Sequence, residues 1–518
     1  MSRRRAALPL PLQAFRHLFA SVAEEMGEAL RASAVSPNVR ERLDFSCALL
    51  DAEGRLVAHA AHIPVHLGSA HLTVPAVLAE LEVGPGDVVV LNDPHRGGTH
   101  LNDVTLLAPL DVGRRRLGFL LDRAHHADVG GAEPGSLAGA RDLYGEGVVL
   151  PPMHLVRAGR RVPEPWRFFP ANTRDPASRL ADLEAQLAAL HRGRARFLDL
   201  AERFGGSVVA RAMGELHDHG RRWAAARFRD WPDGAAEAAD VLDAPEGPRI
   251  VCRVEKRGGR LVVDFAGTSP QFLGSWNTHR AVTWSAVFYV LRTLTGDELP
   301  ETSGVLEQVE LRLPEHSVVA SASPAGVAVG NTETSQRIVD VLYRAFAELL
   351  GPLVPAASQG TMNNVCFGGE RLSGGEFVHY ETIAGGAGAG PHGPGASAVQ
   401  VHMTNTRNTP VEAFEDDLPI RVRRLEVRRG SGGRGRHRGG DGLVKEWEFL
   451  APVRVTLMAS RRFSRPWGAH GGGDGRPGCD WWIHGGRRRR LAPTATFSAA
   501  PGDRLVVETP GGGGWGRA

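Results

Sequence analysis

The spacing of apolar residues along the chain predicts strands and helices that alternate from the start. After Pro11, apolar side chains recur at helical spacing and indicate an amphipathic helix that covers a sheet. The segment FSCALLDAEGRLVAHA is typical of two strands joined by an Asp-Ala-Glu-Gly turn. DVVVLNDP and LGFLLDRAHH have the pattern of buried strands that end in polar residues. We therefore expect a sheet with polar side chains at its strand ends, where proteins commonly bind ligands.

Longer helical patterns follow this predicted sheet. One begins with an N-cap aspartate and a first-turn proline, and the next stops before a segment rich in Ala, Asp, Pro and Gly. That segment, residues 232–248, is typical of a linker, and RLVVDFAGT after it predicts another strand. The predicted helices run from Asp175-Pro176 to about Gly205-Gly206, from there to about Trp231, over 281–295 and over 335–350.

Beyond about residue 352 the chain becomes dense in glycine with short apolar strands, as in TIAGGAGAGPHGPG and PGDRLVVETPGGGGWG. Glycine-broken strands of this kind indicate a β-rich region in which glycine serves turns and strand bends. The pattern predicts a mixed α/β chain of the α+β class with several lobes. We expect an N-terminal α/β region over 1–231, a middle α/β region over 249–351 and a glycine-rich β region over 352–518.

Composition favours an ordinary globular protein and argues against several other classes. Hydrophobic residues make up 42% of the 518 residues and charged residues 23%, which argues against disorder and coiled coil. The formal net charge of +3 is too small to indicate a dedicated nucleic-acid or membrane partner. Lysine occurs only at Lys256 and Lys445, so the many arginines also fit a genomic codon bias.

Cysteine usage and the N-terminus point to a reducing compartment. The four cysteines lie far apart without a C-x-x-C pair, which fits neither a zinc ribbon nor a small disulfide framework. MSRRRAALPLPL has a basic start but no long apolar segment, and no apolar run reaches the roughly 20 residues that span a bilayer. We expect a cytoplasmic protein without an export signal or membrane anchor.

Histidine and aspartate cluster where two predicted strands end. His100 and Asp103 lie three residues apart in THLND after a tight glycine turn, and His125 in DRAHHADVGG reaches them if the two strands are neighbours. Imidazole nitrogen and carboxylate oxygen suit a divalent ion such as zinc, manganese or iron. Such an ion keeps open positions for water and for a polarised substrate oxygen, which is the chemistry of hydrolysis or of addition to a carbonyl.

Further residues of these stretches are candidates for supporting roles. His126 and Asp128 supply a candidate proton-transferring base and a partner for the metal ligands. Upstream, AHAAHIPVHLGSAH offers His66 as a candidate to complete the metal shell, ahead of His59, His62 and His71. The alternative is that all these histidines are hydrogen-bonded loop or wall residues, because H-x-x-D alone is a weak motif.

Other motifs exclude or weaken competing functions. Neither lysine lies in G-x-x-x-x-G-K-[ST], so the chain has no P-loop and its glycines are not nucleotide cradles. The run RVRRLEVRRGSGGRGRHRGG has the charge of an arginine-glycine nucleic-acid segment but lacks interleaved aromatic residues. Glycine turns in a β domain are the favoured interpretation of that run, and a nucleic-acid binder is the alternative.

Many segments in order resemble the hydantoinase B/oxoprolinase family. This family includes B subunits of ATP-dependent hydantoinases, the C-terminal half of 5-oxoprolinase and the acetone carboxylase alpha subunit. The matching segments cover residues 36 to about 470. They are SPNVRERLDFSCAL, IPVHLGS, NDPHRGGTHLNDVTL, AHHADVGG, EGVVLPP, GNTETSQRIVD, ASQGTMNN, YETIAGGAGAG, HMTNTRNTPVE and SGGRGRHRGG.

The resemblance implies a division of labour between two subunits. A hydantoinase A-like ATPase partner would use ATP to activate a small cyclic amide, and this chain would open the ring with a divalent metal while binding no ATP itself. By motif, the metal ligands fall on His100, Asp103 and His125. The later matching segments supply the candidate substrate contacts Asn363, Glu381, His402 and Asn405.

These implications predict a cytoplasmic, hetero-oligomeric hydrolase of hydantoins or 5-oxoproline, with no nucleic-acid and no membrane partner. The rival prediction is a carboxylase subunit that uses the same metal to join an activated ketone or enol with bicarbonate-derived carbon.

Overall fold

The structure of the chain is a computed structural model that describes residues 8–60, 63–136, 139–296 and 299–518. His62, one of the lower-ranked metal candidates, lies outside these residues. Helices and strands are interspersed along the described residues, which confirms the predicted α+β class. The helices are α1 Leu12–Ser33, α2 Pro37–Arg40, α3 Pro64–Leu67, α4 Ala70–Glu80, α5 Leu143–Glu146, α6 Pro163–Ala171, α7 Pro176–Phe204, α8 Gly206–Arg229, α9 Arg280–Thr295, α10 Ser335–Leu350 and α11 Val411–Asp417.

The strands fall into several antiparallel sheets, with one parallel pair. They are β1 Phe45–Asp51, β2 Leu56–His59, β3 Val88–Leu91, β4 Asp103–Val112, β5 Arg115–His125, β6 Met153–Arg157, β7 Arg160–Arg161, β8 Gly234–Val241, β9 Arg249–Arg257, β10 Arg260–Asp264, β11 Val309–Arg312, β12 Asn364–Glu370, β13 Glu376–Thr382, β14 Ile420–Arg428, β15 Gly442–Phe449, β16 Val453–Met458, β17 Cys479–His484, β18 Arg487–Arg490, β19 Thr494–Ala499 and β20 Arg504–Glu508.

The N-terminal sheet has the order β2-β1-β5-β4-β3-β6-β7. Helices α1, α7 and α8 bury their apolar stripes against one of its faces, where Phe19 and Met26 are fully buried. Helix α4 covers the other face through Val74 and Val77. Because both faces are covered, the central strands β4 and β5 are apolar in their middle, with polar side chains at the turn between them and at the end of the hairpin that carries the site.

A second sheet, in the order β11-β10-β9-β8, packs against α9 and α10. Its outer strand β8 occupies about half of the segment 232–248 predicted as a linker, so that prediction is wrong. The strand GAAEAADV is only partly buried, and it pairs with β9 over its whole length. Such an edge strand is hard to predict from the sequence, because it consists of alanines and acidic residues and lacks the β-branched residues that are typical of a core strand.

The glycine-rich region contains two further sheets, β13-β12-β16-β19 and β14-β15-β20-β17-β18, around one apolar core. Many of the remaining glycines lie in irregular segments that pack side by side, rather than in the expected turns and strand bends. The amide of Gly512 donates to the carbonyl of Gly440, and Gly440 donates to Ala387, each at 2.9 Å. A Cβ on Gly440 would lie 1.9 Å from a backbone oxygen, so only glycine fits between these segments. This packing explains glycines of the arginine-glycine run without a nucleic-acid ligand.

Helix α10 is preceded by a π-helical turn over Gly330–Thr334. In this wider turn the Thr332 hydroxyl donates to the carbonyl of Val329, and the Ser335 hydroxyl donates to that of Asn331. The two hydroxyls thus satisfy carbonyls of the irregular turn. A π-turn of this kind is often found at functional sites.

Replacing Gly330 with alanine should destabilise the protein, because an added Cβ would lie 1.7 Å from the carbonyl oxygen of Asn277. Overpacking of this kind costs about 1–3 kcal/mol or more, so thermal unfolding should begin at a clearly lower temperature. The control is Gly214→Ala, since Gly214 lies within α8 with open space around it and should gain about 0.5–1 kcal/mol. An unchanged unfolding temperature for Gly330→Ala would contradict the close approach.

Candidate functional site

A buried asparagine shapes the loop that carries the first two candidate ligands. The side chain of Asn92, directly after β3, donates to the carbonyls of Leu101 and Val148 and accepts from the amide of Leu150. A Cβ on Gly98 would lie 2.6 Å from the carbonyl oxygen of Asn92, so the turn needs glycine. These contacts fix the loop that enters β4 at Asp103.

Strand pairing brings the third candidate ligand to the same place. Strands β4 and β5 form an antiparallel hairpin in which Asp103 lies directly opposite His125. Side chains opposite one another in such a pair lie about 4.5–5.5 Å apart at Cβ. The predicted neighbourhood of the two strand ends is therefore present in the structure.

His100, Asp103 and His125 point one ligand atom each to a common point. His100 Nε2 lies 3.0 Å from Asp103 Oδ1 and 3.2 Å from His125 Nδ1, and His125 Nδ1 lies 3.2 Å from the same Asp103 oxygen. The three atoms thus form a nearly equilateral triangle. All three residues are buried.

This donor set fits a divalent transition ion. Such an ion lies about 2.0–2.2 Å from its nitrogen and oxygen ligands, so three ligand atoms 3.0–3.2 Å apart are close enough together to share one ion. Burial lowers the pKa of His125, which favours the neutral imidazole that binds metal. Two imidazoles and one carboxylate suit zinc, manganese or iron, as the sequence predicts.

His66 lies on the other side of the same carboxylate. Its Nε2 is 3.0 Å from Asp103 Oδ2, and its Nδ1 is 2.9 Å from the hydroxyl of Ser46. The Thr99 hydroxyl donates to the same Oδ2 at 2.6 Å. His66 therefore holds the carboxylate in place, while its role as a further metal ligand stays a prediction.

The Asp103 carboxylate is strongly stabilised as an anion. Burial alone would raise its pKa, but the neighbouring rings of His100 and His66 hold the pKa of Asp103 well below its usual range. A carboxylate that stays ionised in a buried setting is a strong ligand for a cation.

Residues from distant parts of the chain close the site into a cavity of about 20 Å³, enough for about one water or ion. Asp44, whose carbonyl accepts the amide of His125 at 2.9 Å, brings a second carboxylate to its wall. The other polar wall groups come from the π-turn and the C-terminal region, and apolar side chains complete the enclosure. The cavity residues outside the triangle and His66 are Asp44, Ile63, Val65, Asn331, Thr332, Met362, Tyr380, Thr382, Met403 and Thr404.

His126 and Asp128 lie away from this cavity. The His126 ring bonds Gln186 of α7 at 3.1 Å and packs edge-on against Phe169, and burial lowers its pKa to about 4. Asp128 accepts backbone amides of its own loop and the guanidinium of Arg174 at 2.9 Å. Both anchor the polypeptide behind β5, and their proposed proton-transfer roles stay predictions.

Three of the four candidate substrate contacts are buried in internal networks. Asn363 bonds Gln359, the carbonyl of Ile383 and Arg462. Glu381 pairs with Lys445 at 2.6 Å, which holds the pKa of Glu381 below its usual range although burial alone would raise it. His402 lies 3.4 Å from Asp340.

Asn405, the fourth candidate, is exposed and follows Thr404 of the cavity wall. None of the four is among the cavity residues that the structure describes, and their substrate-binding roles stay predictions.

Some cavity residues are not among the residues predicted from the sequence, including Asp44, Tyr380 and the π-turn residues Asn331 and Thr332. The Tyr380 ring stacks on the His125 ring, with centroids 4.8 Å apart and planes at 22°. Asp44 could have been found, since it immediately precedes β1, the strand that pairs with β5. Asn331, Thr332 and Tyr380 lie more than 200 residues away in sequence, and their only signal was the GNTETSQRIVD and YETIAGGAGAG segments.

Among the described residues, every helix is too short or too polar to cross a bilayer.

A family model described as Hydantoinase B/oxoprolinase matches residues 9–518. An uncharacterized protein of Methanocaldococcus jannaschii, MJ0963, is 39% identical over 96% of this chain and 88% of its own. 5-oxoprolinase 1 of Arabidopsis thaliana is 38% identical over 98% of this chain, which spans 41% of that protein. The putative B subunit of a D-/L-hydantoinase from a Pseudomonas species is 29% identical over 86% of this chain and 78% of its own.

Two solved structures share the fold. The ATP-dependent caprolactamase of Pseudomonas jessenii superposes with a TM-score of 0.91 at 25% identity and covers 99% of this chain and 92% of its own. Acetone carboxylase in a nucleotide-free structure superposes with a TM-score of 0.91 at 18% identity, over 98% of this chain and 75% of its own. The second likeness concerns the fold alone.

Proposed function

Because the chain belongs to the hydantoinase B/oxoprolinase family, we propose that it is the metal-dependent, B-type catalytic subunit of an ATP-dependent cyclic amidohydrolase. Its substrate would be a hydantoin or 5-oxoproline that an ATPase partner has activated. The complex would be a cytoplasmic hetero-oligomer. The observation that carries the proposal is the buried triangle of His100, Asp103 and His125 beside an enclosed cavity.

The sizes of the relatives support a partner subunit. The chain spans 41% of 5-oxoprolinase 1, so that protein has a large additional part, whereas it spans 92% of the caprolactamase chain. The hydantoinase relative is itself named as one subunit of an enzyme. The chain has no P-loop, so we assign ATP use to a hydantoinase A-like partner.

Chemistry gives a reason for the partner. An unstrained ring amide has a poorly electrophilic carbon and a poor leaving group, so an activating step makes its hydrolysis easier. Phosphorylation of the amide oxygen by the partner would supply that step. This chain would then need to bind, orient and hydrolyse the activated ring.

The site residues suit that task. A bound divalent ion would lower the pKa of a coordinated water and polarise a substrate oxygen. Asn331 lies in the cavity wall, where its side-chain amide would orient the ring through hydrogen bonds. Met362 and Met403 exclude bulk water, which strengthens every electrostatic contact inside.

The small cavity must widen before it can admit a ring amide. Pockets for drug-sized ligands enclose about 300–1,000 Å³, far more than the cavity of about 20 Å³ beside the triangle. A ring amide therefore enters only when wall segments move apart. The walls come from Asp44 before β1, from α3, the π-turn, the end of β13 and the segment with Met403 and Thr404, so substrate or partner binding would separate these parts.

A carboxylase is the second candidate function, and the fold it shares with acetone carboxylase favours it. The same triangle would then hold a metal that polarises an activated enol or ketone for reaction with bicarbonate-derived carbon. The two functions differ in their substrates, so one assay panel separates them.

We expect turnover only when this chain and its ATPase partner are combined. Coupled ADP release and product formation should be measured with hydantoin, 5-oxoproline and acetone plus bicarbonate, for the chain alone, the partner alone and both together. Ring opening should require both proteins and ATP. Product from acetone would favour the carboxylase.

The matched control is the partner combined with the His100→Ala chain, which should not support ring opening. Rapid ring opening by this chain alone without ATP would identify a self-sufficient cyclic amidase and contradict the proposal.

A further inference from the structure

Glu333 is a fully buried carboxyl group in the π-turn, behind the cavity wall. Its Oε1 accepts the backbone amide of Met362 at 3.0 Å and the side-chain amide of Asn364 at 2.7 Å. Its Oε2 is buried and has no hydrogen-bond partner among the described residues. Burying a carboxyl group with an unpaired oxygen costs folding free energy, so its presence in the π-turn calls for a structural or functional explanation.

A chain of contacts leads from Glu333 to the triangle. Asn364 uses its amide nitrogen toward Glu333 and the carbonyl of Met458, which leaves its oxygen to accept the Tyr380 hydroxyl at 2.7 Å. Because Glu333 Oε1 and the Met458 carbonyl both accept from the amide nitrogen, they select this orientation together, with the shorter hydrogen bond to Glu333. The orientation in turn fixes the Tyr380 hydroxyl, and the Tyr380 ring stacks on His125.

The orientation of the His125 ring depends on this stacking more than is usual for a metal-binding histidine. The distal ring nitrogen of such a histidine usually donates to a carboxylate, a carbonyl or water, which fixes the ring. The distal Nε2 of His125 is buried without a hydrogen-bond partner among the described residues. Beyond the Nδ1 contacts to His100 and Asp103, the face of Tyr380 therefore supports the plane of the His125 ring. Arg42 lies 4.7 Å from the centroid of that same tyrosine.

We propose that Glu333 is a positioning residue. Through Asn364 and Tyr380 it fixes the His125 ring and thereby slows release of the metal from the site. The inference rests on the proposed metal-dependent function. Burial raises the pKa of Glu333 to about 7, so a neutral side chain of the same shape should replace it well. A residue that transferred protons would not tolerate that replacement.

The test measures metal release from the full-length chain. The wild type, Glu333→Gln, Glu333→Ala, Tyr380→Phe and the Glu333→Ala/Tyr380→Phe double variant are loaded with Zn²⁺, and the rate of its transfer to a colorimetric chelator is followed. Glu333→Ala and Tyr380→Phe should release zinc about 10–100-fold faster, as expected when the support of a metal ligand is lost. Glu333→Gln should stay within about threefold of the wild type, because it keeps the acceptor oxygen.

The double variant distinguishes a contact chain from general loosening. If Glu333 acts through Tyr380, the double variant should release zinc no faster than the faster single variant, whereas independent effects would multiply. The control is Asp87→Ala, which removes another buried carboxyl group, one that lies before β3, away from the cavity, and accepts the amides of Gly84 and Ala158. Its zinc release should match that of the wild type.

Each outcome decides the inference. A wild type that binds no zinc, manganese or iron would overturn the metal-dependent function and this inference together. A wild type that binds zinc with Glu333→Ala releasing it at the same rate would overturn the inference alone, as would multiplied effects or equal acceleration by Asp87→Ala. Unchanged release combined with lost turnover in Glu333→Gln would show proton transfer instead. If Glu333→Ala does not fold, Tyr380→Phe and Glu333→Gln carry the test.

Discussion

The wild-type chain should purify with bound metal, and His100→Ala should lose both the metal and the activity of the reconstituted complex. His100 supplies one of three ligand atoms that lie 3.0–3.2 Å apart, so its loss leaves one imidazole and one carboxylate. Affinity should fall by more than about 100-fold, because changes to the mere supports of metal ligands already cost about 10–100-fold. Elemental analysis of both chains measures the metal directly.

His191→Ala is the matched control, since it removes an exposed imidazole from α7. It should keep the metal and the activity. A wild-type chain that is free of metal and fully active in the presence of a chelator would contradict the metal site. Loss of activity in His100→Ala with the metal retained would instead give His100 a role in binding or orienting the substrate.

Local sequence was sufficient to place His100, Asp103 and His125 together, because all three lie at the end of one hairpin. The β4–β5 register sets Asp103 opposite His125, and the strands themselves are evident from their apolar runs. The same local reasoning put His126 at the site as well. Successive side chains of a strand point to opposite faces, so His126 faces Gln186 of α7 while His125 faces the cavity.

Contacts between distant segments could not be predicted from the sequence. Tyr380 and the π-turn meet the hairpin only through tertiary packing, and a single sequence carries no signal of which segments pack together. The reason for many of the glycines could not be predicted from the sequence either. Glycines such as Gly440 and Gly512 are typical of turns in a sequence. In the structure glycine is required at both positions because backbone segments more than 70 residues apart in sequence pack closely there.

Arginine was the least informative residue in the sequence and is among the most informative in the structure. A codon bias explains the number of arginines but not their burial. Arg337 and Arg461 have side chains that are 0% and 1% exposed, and they pair with Asp240, Asp243 and Asp340. These residues join β8, α10 and the loop after β16. Their pairing explains why α10 has charged residues among its buried positions.

Replacing Arg461 with methionine should therefore cause a large loss of stability. Arg461 pairs with the fully buried Asp340 and, at 3.0 Å, with the half-buried Asp240, so its removal leaves Asp340 without an arginine and Asp240 with Arg337 alone. Removing one partner of a buried ion pair costs about 3–5 kcal/mol. Thermal unfolding of Arg461→Met should begin several degrees lower. Arg487→Met, on the exposed strand β18, should change the stability by less than about 0.5 kcal/mol.

The pH dependence and a second substitution test the cause of that loss. Burial alone would raise the pKa of Asp340, but Arg461 and His402 hold it below its usual range. The stabilisation by Arg461 is thus complete above the unfolded-state pKa of about 3.9 and is lost as the pH falls through the lower folded-state value, so the deficit of Arg461→Met should shrink in acid. Adding Asp340→Leu should recover part of the stability at neutral pH, because it removes the carboxylate left without its arginine. A double variant less stable than Arg461→Met would show that the two side chains stabilise the fold by packing rather than by their charges.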